Sequence, residues 1–170
     1  MSSRPPLLLV DGHNLLFRAC FGTPAEVWSR DLCRRDITTQ FMFFALLRKA
    51  VVAELDCWPE IIVVFDGEHG SDTRRDTDAA YKATRDADAG RKPLEGLSDI
   101  TRGLDRYGIS WIELDHHEAD DVIATLASAA GSDRTVLIMS VDQDFYQLLA
   151  DDDTAGRVQV LNSSGTRTRC

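Results

Sequence analysis

Apolar positions along the chain follow two rhythms. Leu7 to Val10, Ile61 to Phe65, Ile109 to Leu114 and Val136 to Met139 are short, mainly apolar runs with the length and Val/Ile/Leu content of strands buried on both faces. Val158 to Leu161 is a weaker fifth. Between them apolar residues recur at helical spacing. Ala119, Val122, Ile123, Leu126 and Ala127 give one stripe, and Leu94, Leu97, Ile100, Leu104 and Tyr107 give another. Strands alternating with helices predict an α/β fold on a parallel sheet, because parallel neighbours need a crossover and a helix usually supplies it.

Two segments break the rhythm. Gly67 to Lys92 is poor in aliphatic residues and dense in Arg, Lys and Asp, with Gly67 and Pro93 as its boundaries, so it reads as an exposed excursion from the sheet. Residues 162–170 carry Ser163-Ser164-Gly165, Arg167 and Arg169 without apolar periodicity, and are expected to form a flexible tail. Neither an internal repeat nor a low-complexity tract is present.

The length of 170 residues and the 44% hydrophobic content fit one compact domain. A net charge of -9 argues against broad non-specific binding to a phosphate backbone, although a carboxylate-lined metal site would itself add to that charge. Cys20, Cys33, Cys57 and Cys170 are scattered without C-x-x-C spacing, which points to reduced thiols in a cytoplasmic setting rather than zinc or disulfides. The apolar run that leads into Asp11, Leu7 to Val10, has only four residues, too few for a signal-peptide core. The run Phe41 to Leu47, followed by Arg48 and Lys49, is too short to span a membrane.

Ligands of open parallel sheets collect beyond the carboxyl ends of the strands, and Asp11, Asp66 and Asp142 fall there. Each has an ordinary structural explanation taken alone: Asp11-Gly12 and Asp66-Gly67 as turn dipeptides, Asp142 as the cap of a helix starting near Gln143. Glu118-Ala119-Asp120-Asp121 opens the helix after the third run, where the helix dipole favours acids. That dipole does not account for three acids at once beside His116 and His117, nor for the further pair Asp142 and Asp144. So many carboxylates at one edge repel unless cations neutralise them or protons are taken up. An all-oxygen donor set suits hard cations such as magnesium or manganese, and a pair of them supports phosphodiester hydrolysis. His116 and His117 read as surface histidines ahead of the helix.

Five ordered motifs carry a resemblance. They are Val10-Asp11-Gly12-His13-Asn14-Leu15-Leu16-Phe17-Arg18-Ala19, Val64-Phe65-Asp66-Gly67, Tyr81-Lys82-Ala83-Thr84-Arg85, Glu118-Ala119-Asp120-Asp121-Val122-Ile123-Ala124, and Ser140-Val141-Asp142-Gln143-Asp144-Phe145-Tyr146-Gln147-Leu148-Leu149. In this order they resemble the N-terminal, PIN-like (resolvase-like) part of bacterial 5′-3′ exonucleases and flap endonucleases, including the 5′ nuclease domain of DNA polymerase I. The resemblance implies a three-layer sandwich around a central, mainly parallel sheet, with residues 1–161 as the domain and 67–92 as a basic helical arch. It implies a metal-dependent nuclease acting on DNA with a 5′ end or flap by a two-metal mechanism. Asp11, Asp66, Glu118 and Asp120 would serve one ion, Asp142 and Asp144 the second, with Asp121 close by. Lys82 and Arg85 would grip the scissile phosphate from the arch and Tyr81 would stack on a base. Arg74 and Arg75 join them in the same excursion. Three residues apart, Lys82 and Arg85 would share a helix face, although a solvated helix with Asp78 paired to Lys82 explains the same spacing.

The family continues beyond the fifth strand into a Gly-Asp-x-Ser-Asp-Asn segment and a helix-turn-helix module that binds duplex DNA. Neither is found in this sequence, so the second metal site is expected to be incomplete and activity weak. Val141 stands where the family usually has glycine. Two alternatives stay open: a catalytically weak remnant that binds nucleic acid or protein, and a PIN-type ribonuclease acting on RNA. A phosphatase-like or nucleotide-binding α/β domain fits poorly, since Asp11-Gly12-His13 lacks the second acid of a D-x-D loop and no G-x-x-x-x-G-K-[ST] loop occurs.

Overall fold

The computed structural model describes residues 4–55, 58–67, 92–130, 134–149, 157–162 and 166–168. In chain order these contain β1 (Leu7–Asp11), α1 (Gly12–Phe21), α2 (Thr38–Glu54), β2 (Glu60–Asp66), α3 (Leu97–Tyr107), β3 (Ser110–Leu114), α4 (Ala119–Ala129), β4 (Val136–Met139), a 3-10 helix (Gln143–Leu149), β5 (Val158–Asn162) and β6 (Thr166–Thr168). The strands lie side by side in the order β3-β2-β1-β4-β5-β6. Every neighbouring pair is parallel except β5 and β6. The five apolar runs of the sequence are the five parallel strands.

Because strand side chains alternate faces, each strand feeds two cores. Leu8, Val10, Val63, Phe65, Leu137 and Met139 point to one side, under Leu15, Leu16 and Ala19 of α1, Phe43 and Leu47 of α2, and Ile100 and Leu104 of α3. Leu7, Leu9, Val64, Val136, Ile138, Val158 and Val160 point to the other, under Ala119, Val122, Ile123 and Ala127 of α4 and Phe145 and Leu149 of the 3-10 helix. The result is the three-layer sandwich expected for the family. β1 lies at its centre, and Leu7 to Val10 are each at most 2% exposed. Side chains of this kind contribute about 1.5–3 kcal/mol apiece when fully buried.

Two expectations change, and one apolar run without an assigned element proves helical. The apolar run Phe41 to Leu47 lies inside the 17-residue α2, where Phe43 and Leu47 are buried and Phe41 is exposed. Helix α3 begins at Leu97, after Gly96, so Leu94 stays exposed; Tyr107 at its far end is also exposed, with its ring centroid 5.6 Å from that of Phe44. The segment expected to be a flexible tail instead supplies β6, whose residues Thr166 to Thr168 pair antiparallel with Asn162 to Val160. Three residues are too few to show a periodicity, and an edge strand carries no continuous apolar run to announce it.

Gly67 ends β2 against the turn that follows β3. Its N–H donates to the carbonyl of His117 at 2.9 Å, and a Cβ there would sit 2.0 Å from the carbonyl oxygen of Leu114. Asp66-Gly67 is thus a point of close backbone approach. Gly67→Ala should destabilise the fold by about 2–4 kcal/mol in urea unfolding, since the obstacle is main chain and two strand ends must part. A loss below about 0.5 kcal/mol, the size of an ordinary surface change, would contradict this packing.

Candidate metal centre

The strand register decides which polar groups meet. Asp11 pairs with Val64, so Asp66 projects two residues past the last rung shared with β1. Val10 pairs with Met139, which puts Ser140 beside Asp11 across β1 and β4. Period-two alternation continues the Leu7/Leu9 side to Asp11, the Val64 side to Asp66 and the Val136/Ile138 side to Ser140. All three side chains therefore emerge on the α4 face, where the sheet grows outward in both directions from β1. That is the switch point at which open α/β sheets bind ligands.

The local bonds are specific. Asp11 caps α1, accepting from the Asn14 N–H at 3.0 Å, while its other oxygen accepts from the Ser140 hydroxyl at 2.9 Å. Ser140 Oγ in turn accepts the Asp142 N–H at 3.1 Å, and Asp142 accepts the Asp144 N–H at 3.0 Å. Asp66 Oδ1 accepts the Ala119 N–H at 2.8 Å, joining β2 to the first turn of α4. His13 Nδ1 receives the Asp66 N–H at 2.9 Å. Glu118 stands at the N-cap of α4 without bonding that helix end, and is 5% exposed. Asp120 accepts the Asp121 N–H at 2.8 Å, and Asp121, Asp142 and Asp144 are exposed.

Desolvation dominates the electrostatics of Asp11. It raises the carboxyl from its ordinary 3.8 to about 6, against the lowering effect of the Asn14 and Ser140 bonds and with the help of the Asp66 and Asp142 charges. The ordinary explanations apply as well: Asp11 and Asp142 both act as caps. A cap on an exposed helix end does not place its carboxylate where burial and two other acids oppose its charge.

Sequence reasoning gave no role to Ser140 or His13. The available signals were a small polar residue directly after four buried strand positions, and an imidazole in the first turn after Asp11. Both histidines of the turn before α4 are exposed, and His116 has a φ of 63°. Arg74, Arg75, Tyr81, Lys82 and Arg85 lie outside the described residues.

Among the described residues no group of three His, Cys, Asp or Glu is placed so that it could hold a metal ion as it stands. Asp11, Asp66 and Asp142 are turned onto protein donors instead. The donor chemistry nevertheless fits a hard divalent cation. Each ionised carboxylate offers about four acceptor positions, more than these bonds use, and bonds of this kind commonly orient metal ligands. Asp11, repelled by two neighbouring acids, is the group a cation would relieve most.

Comparison with known proteins supplies context. Residues 6–169 match the family model described as 5′-3′ exonuclease, N-terminal resolvase-like domain. The thermostable DNA polymerase I of Thermus thermophilus is 35% identical over 160 residues, covering 94% of this chain and 18% of the polymerase. A 5′-3′ exonuclease of Mycobacterium tuberculosis is 32% identical over 169 residues, covering 93% of this chain and 52% of the exonuclease. The chain thus spans about half or less of the length of these relatives. The T5 D15 protein, a flap endonuclease, has been co-crystallised with metal ions. Its fold matches with a TM-score of 0.70 at 18% identity, over 96% of this chain and 58% of that one.

The Asp11 shift fixes a pH dependence. In the folded chain Asp11 holds its proton up to about pH 6, whereas unfolded it releases it near 3.8. Its contribution to stability is therefore complete below about pH 4 and is lost as pH rises through 6. Asp11→Asn should flatten the melting temperature across this window and, in chelator at pH 7, stabilise the chain by on the order of 1–3 kcal/mol. Parallel melting curves for wild type and Asp11→Asn would refute the shift.

Proposed function

The chain belongs to the 5′-3′ exonuclease N-terminal, resolvase-like domain family, and on that premise we propose that it hydrolyses DNA phosphodiesters near a 5′ end or flap with divalent cations at the Asp11 edge. The observation carrying this reading is the convergence of Asp11, Asp66 and Ser140 on one face at the switch point, with Asp11 desolvated beside other acids. Asp11, Asp66, Glu118 and Asp120 would hold a first cation, Asp142 and Asp144 a second, with Asp121 at the margin. Magnesium or manganese suits this oxygen-only set. When bound, such ions would supply an activated water and charge compensation at the leaving oxygen.

The chain's own groups do the positioning. Ser140 holds the Asp11 carboxylate and the Asp142 backbone together, so the two proposed cation sites share one hydroxyl. The Ala119 N–H fixes Asp66 against the helix that carries Glu118 and Asp120. Lys82 and Arg85 would clamp the phosphate, with Arg74, Arg75 and Tyr81 along the strand, on an arch that residues 67–92 would form. No helix among the described residues is long and apolar enough to cross a membrane. The proposal sets the activity in the cytoplasm, where the free Cys20 and Cys33 would stay reduced.

The deciding assay follows a 5′-labelled flap DNA and, in parallel, single-stranded RNA. Cleavage of the flap should need magnesium or manganese, and Asp120→Asn should slow it by a factor on the order of 100. If neither cation supports cleavage, or Asp120→Asn leaves the rate unchanged, the nuclease reading fails. Preferential cleavage of RNA would overturn the DNA assignment.

A further inference from the structure

β1 and β2 do not end together. The last rung between them is Asp11 opposite Val64, and the chain turns into α1 at Gly12. β2 runs two residues further, held on its other side by β3, where Asp66 pairs with Leu114. Its next amide pointing toward β1, that of Asp66, has passed the end of the extended backbone that would have accepted it. His13 fills the place. Its Nδ1 lies 2.9 Å from the Asp66 nitrogen, and its ring packs edge-on against Phe65 at a centroid distance of 5.7 Å.

The bond also fixes the chemistry of the ring. A nitrogen that accepts an N–H carries no proton, so Nδ1 serves as the acceptor of this bond. The 3.4 Å approach of Nδ1 to Asp66 Oδ2 is then a contact between two lone-pair atoms and not an ion pair. His13 therefore holds the Asp66 backbone as a hydrogen-bond acceptor. With the Ala119 N–H on Oδ1, Asp66 is held at both the main chain and the carboxylate.

We propose that His13 is a positioning residue for Asp66: an imidazole acceptor that adds one rung to the β1–β2 ladder and sets that carboxylate for a divalent cation. The cation part rests on the function proposed above. The acceptor part rests on the geometry alone, and the two separate experimentally.

Asn carries an acceptor oxygen on the same branch as Nδ1, and Leu matches that shape without any acceptor. His13→Asn thus keeps the rung and loses the ring, while His13→Leu keeps apolar bulk against Phe65 and loses the rung. In the metal-free full chain, the Asp66 amide should resist hydrogen exchange in wild type and His13→Asn, and exchange at least about tenfold faster in His13→Leu. Titrated with magnesium or manganese, His13→Leu should bind about 10- to 100-fold more weakly, and His13→Asn within about threefold of wild type. Equal protection of Asp66 in His13→Leu, or a His13→Asn variant as impaired as His13→Leu, overturns the assignment. Should wild type bind neither cation, the nuclease reading and the cation part fall, and the exchange comparison still decides the rung. If His13→Leu does not fold, a proton on Nδ1 in the long-range nitrogen NMR spectrum of the wild-type chain would overturn the proposal, and a bare Nδ1 would support it.

Discussion

The place where β1 stops governs the rest of the site. Leu7 to Val10 are buried on both faces, so the strand cannot slide without moving its whole apolar set to the wrong side. Its end is therefore fixed in space, and Asp11 is fixed with it. From that point β2 overruns by two residues to deliver Asp66, and β4 stops one rung short to deliver Ser140. Gly12 lets the chain turn there, since a Cβ on it would lie 2.5 Å from the Phe65 ring. The polar site is a consequence of unequal strand lengths around one immovable strand.

That arrangement costs stability at neutral pH. Asp11 is desolvated, and the protein donors around it offset only part of the penalty. A fold selected for stability alone would place a neutral acceptor here, because Asn satisfies the same cap at a helix N-terminus. The retained carboxylate is what a cation site requires and what a packing site avoids. Strain of this kind is a functional signature when, as here, it coincides with the switch point of the sheet.

The fold was largely readable in the sequence. Strand positions followed from uninterrupted apolar runs, and the parallel arrangement followed from the helices between them. The acids Asp11, Asp66 and Asp142 were readable because the first two directly follow a run and the third stands three residues beyond one. Helix α2 hid its nature because Met42 and Phe44 flank Phe43 and Leu46 precedes Leu47, which blurs the 3.6-residue period into a continuous block. β6 hid because its pairing is with a neighbouring edge rather than with a core. Ser140 and His13 were hidden for a different reason. Their roles depend on the relative lengths of β1, β2 and β4, and no single segment encodes a difference between three strand ends.

Net charge, which settled nothing when read as a total, becomes informative once the site is located. The segment Gly67 to Lys92 holds six basic and six acidic residues, so the whole excess of -9 lies on the rest of the chain. Seven of those acids are the proposed cation ligands Asp11, Asp66, Glu118, Asp120, Asp121, Asp142 and Asp144, and without them the rest of the chain would carry only -2. The acidity is thus concentrated at the sheet edge rather than spread as a solubilising surface. An edge that negative would repel a phosphodiester until cations reversed its sign, so on the proposed function cation binding and substrate binding at this face would be one coupled equilibrium.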